Sequence, residues 1–521
     1  MQYLKSFFEN FKLIEIAYIK NYSKKLKWFV IIILIISINS CSNEPDYYIN
    51  SEGLPYYKDL KEINTHLTIN PSGISPLTAN IDVRMDIEHS VSITIKGKNN
   101  DDITHDFENI GLNHKIPILG LYSNHQNQVI ISAIDRSGIR IGEKSVRINT
   151  DSIPISHQLP KIEIISSELS ERYTFVEHHK FFTKAIPLIF DQHGEVRWYF
   201  KFEENTGEFP FFIKGPNKII VGNNNAPIYY HYNWLGEITR EISLLEDDMT
   251  VHHSITPHPD RGNIVLVDND ADIGSLIYHL DENGAVIKSW NLNEILLDYL
   301  PEDQDMMVPA TDWFHSNYAV YDQSDKSIIV SGRSSIGVIK LDYNSGVIKW
   351  ILGDHNKKWY QYLGLQALAL KPSPGTELPL GQHCPIKLPN GNLLLMDNGW
   401  DGYERNGSED GLINGGRQYS RLVEYKIDPI NLEVTQVFEF GKSYGTQLYS
   451  RYVGNTGYDS DLGSIWGIFG SVINPTTPEN PTIEGHVVEV DQSGSLLFHA
   501  KVSSESGTDF NYRTEKIDFY K

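Results

Sequence analysis

A hairpin that recurs six times limits the fold of this chain more than any other feature. Its unit is an apolar strand ending in Asp, a turn with Gly, and a second strand often closed by an aromatic residue. It reads from Ile186 through Asp191 and Gly194 to Trp198, and again from Tyr230 through Gly236 to Ile238. Further copies run from Ile277 through Gly284 to Trp290, from Val338 through Gly346 to Trp350, and from Val487 through Gly494 to Phe498. The copy from Leu422 through Asp428 to Asn431 lacks the glycine. Six copies over residues 161–521 give about 60 residues each, which predicts a six-bladed β-propeller of four-stranded antiparallel blades. Short buried strands opened by a turn precede four of the hairpins, at 217–221, 262–267, 326–330 and 391–396. Each blade is therefore read as an inner strand, this second strand, and the hairpin. The regular recurrence disfavours the alternative, an elongated sandwich without closure.

Residues 66–155 carry turn signals and short strand patterns at Asn80–Ile87, Ser90–Lys96, Val129–Asp135 and Lys144–Ile148, without helical periodicity. They predict a small amino-terminal β-sandwich domain, so the whole chain is all-β. Pro154 and Pro160 mark a linker to the propeller. Ahead of the sandwich, Lys24, Lys25 and Lys27 precede an apolar run, Trp28 to Ile38, too short to span a bilayer as a helix. Residues 1–40 read as an export signal that ends in a lipobox, with Cys41 as the lipidated residue and 41–65 as a tether. The expected address is the bacterial outer membrane, facing the periplasm or the outer surface, through a lipid anchor. Two cysteines in 521 residues exclude a disulfide framework. Removing six lysines and two glutamates with the signal takes the net charge from −22 to −26. Such a surface repels nucleic acid, and any site for an anion must carry its own positive charge.

Three histidines fall in one register of the repeat. His253 lies nine residues before Gly262, His315 eleven before Lys326, and His383 eight before Gly391. All three belong on or just before the innermost strands of consecutive blades, where they converge at one mouth of the central channel. Three imidazoles can hold zinc. Arg333, which ends the strand after His315, argues instead for an oxyanion, because guanidinium donates a planar fork to two oxygens. Asn317 adds neutral donors. No cofactor and no metal are expected.

The stretch Asn70 to Ala79, Val251 to His253, Asp312 to Asn317, Ser331 to Arg333, Trp350 to Gly353 and Gly381 to His383 together resemble the bacterial arylsulfate sulfotransferases. The resemblance spans nearly all of the mature chain. It implies an aryl sulfate donor, a phenolic acceptor and no nucleotide sulfate donor; no Gly-rich phosphate loop of the Walker type is present. It also implies ping-pong transfer through a sulfohistidine at His383, with His315, Asn317 and Arg333 on the sulfuryl oxygens and His253 as acid and base on the phenol oxygen. His252 is a candidate substrate contact, which strand alternation points away from the channel. Ser254 stands where the family commonly has an acid.

Cys384 follows His383 and reads as a buried small hydrophobe rather than a reactive thiol. The acidic turn Asp268 to Gly274 echoes a calcium loop but lacks its closing glutamate, so it reads as a solvated turn. The insertion Asp401–Arg417 is either a cover over the channel mouth or a surface excursion. Two other functions compete with transfer: a non-catalytic propeller that binds glycan or protein, and a metal-dependent hydrolase on the same histidines.

Overall fold

The computed structural model describes residues 47–49, 55–169, 173–180, 184–202, 212–215, 218–223, 227–244, 249–301, 312–400, 416–474, 482–503 and 509–520. The signal at 1–40, Cys41 and most of the insertion after Trp400 lie outside the described residues. The chain divides into two compact units. In the first, residues 1–61 with 134–142, Tyr47–Ile49 pairs antiparallel with Pro55–Lys61, whose Tyr56 is in parallel register with Arg140. The second, residues 62–133 with 143–521, holds the amino-terminal β-module and the propeller.

In the module, Ala79–Ile95 alternates from Ile81 to Met85 and again from Val91, burying Ile81, Val83 and Met85 and then Val91, Ile93 and Ile95. The two separate strands expected at 80–87 and 90–96 are thus one long strand, with the ladder slipping near His89. Its partner Ile103–Ile118 gave no sequence signal, because only Ile116 and Ile118 are buried. Blades with four strands at their centre follow as expected, one of them extended by Lys371–Pro372, which pairs parallel with Glu433 and Val434. They start at Phe212–Gly215, Thr250–Pro257, Ser316–Asp322, His383–Lys387 and Asn455–Asp459, each first strand being innermost. The remaining blade draws its inner strand, Phe510–Ile517, from the chain's other end, pairing it with Tyr173–Lys180. Lys161–Ser167 in turn adds an outer strand to the blade begun by Asn455–Asp459. The ring is closed at both edges by strands from opposite ends of the propeller sequence.

The recurring Asp and Gly have one local cause. Asp191 Oδ1 accepts the amides of His193 and Glu195, both at 3.0 Å, and Gly194 turns the chain with φ +81°. Asp281 with Gly284, Asp342 with Gly346 and Asp491 with Gly494 repeat the arrangement. In the copy without glycine, Asp428 still caps the turn and Leu432 takes φ +52°, a conformation that costs an L residue about 1–2 kcal/mol.

Candidate active site

The inner strands do not deliver their histidines by plain alternation. His253 has φ +50°, His315 has φ +53°, and Cys384, directly after His383, has φ +49°. At the same places the ladder to the second strand slips: between Val251 and Ile255, Ser316 and Tyr318, and His383 and Ile386. Left-handed backbone is unfavourable for residues with side chains, and three instances in one register are bulges that re-aim side chains. The alternation that separates His252 from His253 in the sequence therefore fails. The His252 ring stays with its neighbour, Nδ1 to Nδ1 at 2.9 Å, and its Nε2 lies 3.1 Å from Asp268 Oδ1.

The rings of His253 and His315 meet edge to face with centroids 4.8 Å apart. Tyr512, from the closing strand, lies 5.8 Å from His253 and 6.2 Å from His383. Arg333 is brought beside them by two backbone bonds, its own N–H to His315 O at 3.0 Å and Ser334 N–H to Phe314 O at 3.1 Å. Burial, reinforced by the Arg333 charge, pushes His383 down to about 3. Burial and then Arg333 also lower His315, against the Asp312 carboxylate that accepts its Nδ1–H. His253 falls well below its ordinary value through burial and then its neighbour His315. His252 moves the other way: burial opposes its charge, but the carboxylates of Asp268 and Asp312 and the Val267 carbonyl together outweigh it and raise it. The result is three neutral imidazoles around one guanidinium, with one more basic imidazole behind them.

His383 is held in one tautomer. Its Nδ1 lies 2.7 Å from Asn398 Oδ1 and 3.1 Å from Gly381 O. The Asn398 amide cannot flip, because Nδ2 donates to Ser450 O and Val453 O, both at 2.8 Å. Both groups facing Nδ1 are acceptors, so Nδ1 carries the proton and Nε2 keeps the lone pair. The segment leading to this ring is fixed as well. Gly381 has φ +65°, and a Cβ there would come within 2.4 Å of Trp400 O. Gln382 Nε2 donates to Gly332 O at 2.9 Å, and Gln382 O accepts from Asn317 Nδ2 at 2.8 Å.

His252, His253, His315, Arg333 and His383 thus gather around the channel register. Buried Asn317 stands beside them, with one amide hydrogen committed to the strand that carries His383. Cys384 is buried, and burial pushes its thiol up to about 12, so it is an inert neighbour. The acidic turn is a scaffold: Asp268 Oδ1 accepts Gly274 N–H at 2.5 Å, and Asp272 accepts Asn293 Nδ2. Among the described residues no group of three His, Cys, Asp or Glu is arranged to hold a metal ion. Sequence reasoning assigned no role to Asn398, Asp268, Asp312 or Tyr512 in this site. Asp312 stood three residues before His315 and could have been found by that spacing. Asn398 and Tyr512 carried no signal, since only the folded ring brings them near.

Comparison with known proteins places this geometry in context. The sequence model of the arylsulfotransferase (ASST) family matches residues 161–513, and that of the arylsulfotransferase Ig-like domain matches residues 66–151. Arylsulfate sulfotransferase AssT of Escherichia coli is 24% identical, covering 85% of this chain and 91% of that protein. The protein of the same name from Lelliottia amnigena is also 24% identical, covering 86% of this chain and 91% of its own. An auxiliary nutrient binding protein of Bacteroides ovatus superposes with a TM-score of 0.32 at 10% identity, covering 86% of this chain and 99% of that one.

Proposed function

This chain belongs to the arylsulfotransferase family, and we propose on that footing that it carries a sulfuryl group from an aryl sulfate to a phenol through a sulfohistidine at His383. The supporting observation is the tautomer of His383: Asn398 Oδ1 takes Nδ1–H at 2.7 Å and leaves Nε2 as a neutral nucleophile. Its lone pair forms the N–S bond while the S–O(aryl) pair leaves with the phenol oxygen, which takes a proton from His253. A second phenol then gives its own proton to His253, and its oxygen attacks sulfur as the N–S pair goes back to Nε2. Arg333 supplies the fixed positive charge that an anion needs in so acidic a protein.

His315 fits the same scheme. Its Nδ1–H is held by Asp312, so an arriving sulfate favours the imidazolium form, whose Nε2–H then donates to a sulfuryl oxygen. Asn317 has a second amide hydrogen for the same purpose. An export signal and a lipid on Cys41 would place this chemistry at a membrane surface.

The test is phenol release from a chromogenic aryl sulfate, with and without an acceptor phenol, in wild type and His383→Asn. Acceptor-dependent release is expected, with a loss of at least about 10³-fold in the variant. Intact mass should show a sulfuryl adduct in the wild type alone. Release without acceptor means a sulfatase; no release at all, with or without acceptor, removes the assignment.

A further inference from the structure

We propose that Asp268, His252 and His253 form a proton relay, in which His252 stores the proton that His253 hands to one phenol oxygen and recovers from the next. The relay rests on the transfer reading above and adds to it where the acid–base proton resides. Two contacts carry it: His252 Nε2 to Asp268 Oδ1 at 3.1 Å, and His252 Nδ1 to His253 Nδ1 at 2.9 Å.

Two facing imidazole nitrogens at 2.9 Å need one proton between them. The surroundings say which ring owns it at rest. His252 faces Asp268 from the second strand and Asp312 from the loop ahead of the next blade, both carboxylates. His253 faces His315, Arg333 and His383, all basic, together with Tyr512. The positive charge therefore sits on His252, which pairs with the Asp268 carboxylate 3.1 Å from its Nε2 and donates Nδ1–H to His253. The directions agree, His252 being raised above its ordinary value and His253 lowered well below it. Neutral His253, accepting at Nδ1, then carries its own proton on Nε2.

That resting state meets the needs of both half-reactions. As the S–O(aryl) bond breaks, the phenol oxygen takes the Nε2 proton of His253, and Nδ1 takes the proton of His252. His252 becomes neutral and keeps its Nε2–H beside the Asp268 carboxylate. His253 now has its proton on Nδ1 and a lone pair on Nε2, the form of a base. The acceptor phenol gives its proton to Nε2, the Nδ1 proton returns to His252, and the resting state is restored with no net change. One ring serves as acid and then as base without solvent, because its tautomer is exchanged through its neighbour. The residue after His253 does not do this work: buried Ser254 accepts the Ala319 amide at 3.5 Å.

The experiment compares 4-nitrophenyl sulfate, whose leaving phenol needs little protonation, with phenyl sulfate, whose leaving phenol needs much. In His252→Asn and Asp268→Asn, phenyl sulfate should lose about tenfold or more beyond the loss seen with 4-nitrophenyl sulfate. Equal losses with the two donors overturn the relay. So does an unchanged ratio in His252→Asn when thermal unfolding shows the variant folded. A second readout does not depend on turnover: in histidine-labelled wild type, a low-field proton shared between two ring nitrogens should be present, and His252→Asn should remove it. A wild type that releases no phenol from either donor defeats the transfer reading instead. The low-field proton then decides the relay, its presence supporting the shared proton and its absence overturning it.

Discussion

At the scale of single residues, the group that most constrains His383 is one that never meets substrate. Asn398 spends both amide hydrogens on backbone carbonyls and thereby aims its oxygen at Nδ1. Two substitutions separate its two jobs. Asn398→Ala and Asn398→Asp both give up the donations to Ser450 O and Val453 O, each worth about 1 kcal/mol. Only the alanine also gives up the acceptor. The donor half-reaction should fall by about 10²-fold or more in Asn398→Ala, because only the longer Gly381 O contact then favours Nδ1–H and the tautomer that presents N–H to sulfur gains population. Asn398→Asp should keep most of that rate. Its carboxylate favours the imidazolium, so the acid-side fall in single-turnover rate should move to higher pH than in wild type, where His383 lies at about 3. Equal rates in both variants, at equal thermal stability, would show that the Nδ1 contact is structural only.

At the scale of elements, the blade repeat was legible because each hairpin writes its turn in the sequence: an Asp that caps and a Gly that takes positive φ. That signal located the inner strands closely enough to bring His253, His315 and His383 into one register. What stayed hidden comes from backbone conformations that residue types do not encode. No residue at 253, 315 or 384 is glycine, yet all three adopt left-handed φ, so a period-2 reading does not carry through these positions. The closing strand was invisible for a different reason: Phe510–Ile517 is the inner strand of a blade whose other strands lie more than 300 residues away in sequence. It is also a functional element. Tyr512 stands over His253 and His383, and Arg513 donates to His253 O. Ending the chain before Asp509 should therefore remove activity and open the ring together. The loss should exceed about 5 kcal/mol, comparable to the whole stability of a domain, and urea unfolding should lose its single cooperative step. A truncated protein that unfolds at the wild-type midpoint would mean that the ring closes without this strand.

At the scale of the whole molecule, the site makes the fold acid-sensitive, with a definite sign. His253, His315 and His383 are kept below the ordinary value of 6.5 by burial, and His499 is lowered to about 4 by burial and then by His486. Unfolding returns each to its ordinary value, so between about 3 and 6.5 the unfolded chain holds more protons than the folded one. Stability then rises with pH across that window and is lost as pH falls through it. Each such group contributes up to about 1.4 kcal/mol per pH unit where only the unfolded form is protonated. His252 opposes the trend, since its raised value stabilises the fold below 6.5, but it is one group against several. Below about 4 a second loss joins the first, as Asp268, Asp312 and Asp322, all lowered in the fold, are forced to take protons. The urea midpoint should therefore fall between about pH 7 and about pH 5, before any carboxylate titrates. In His383→Asn that decline should be shallower by the share of one histidine, with little change in the loss at lower pH. A midpoint that stays level between about pH 7 and about pH 5 would mean that the channel histidines carry their protons in the folded state. The neutral nucleophile inferred for His383 would then have to be given up with it.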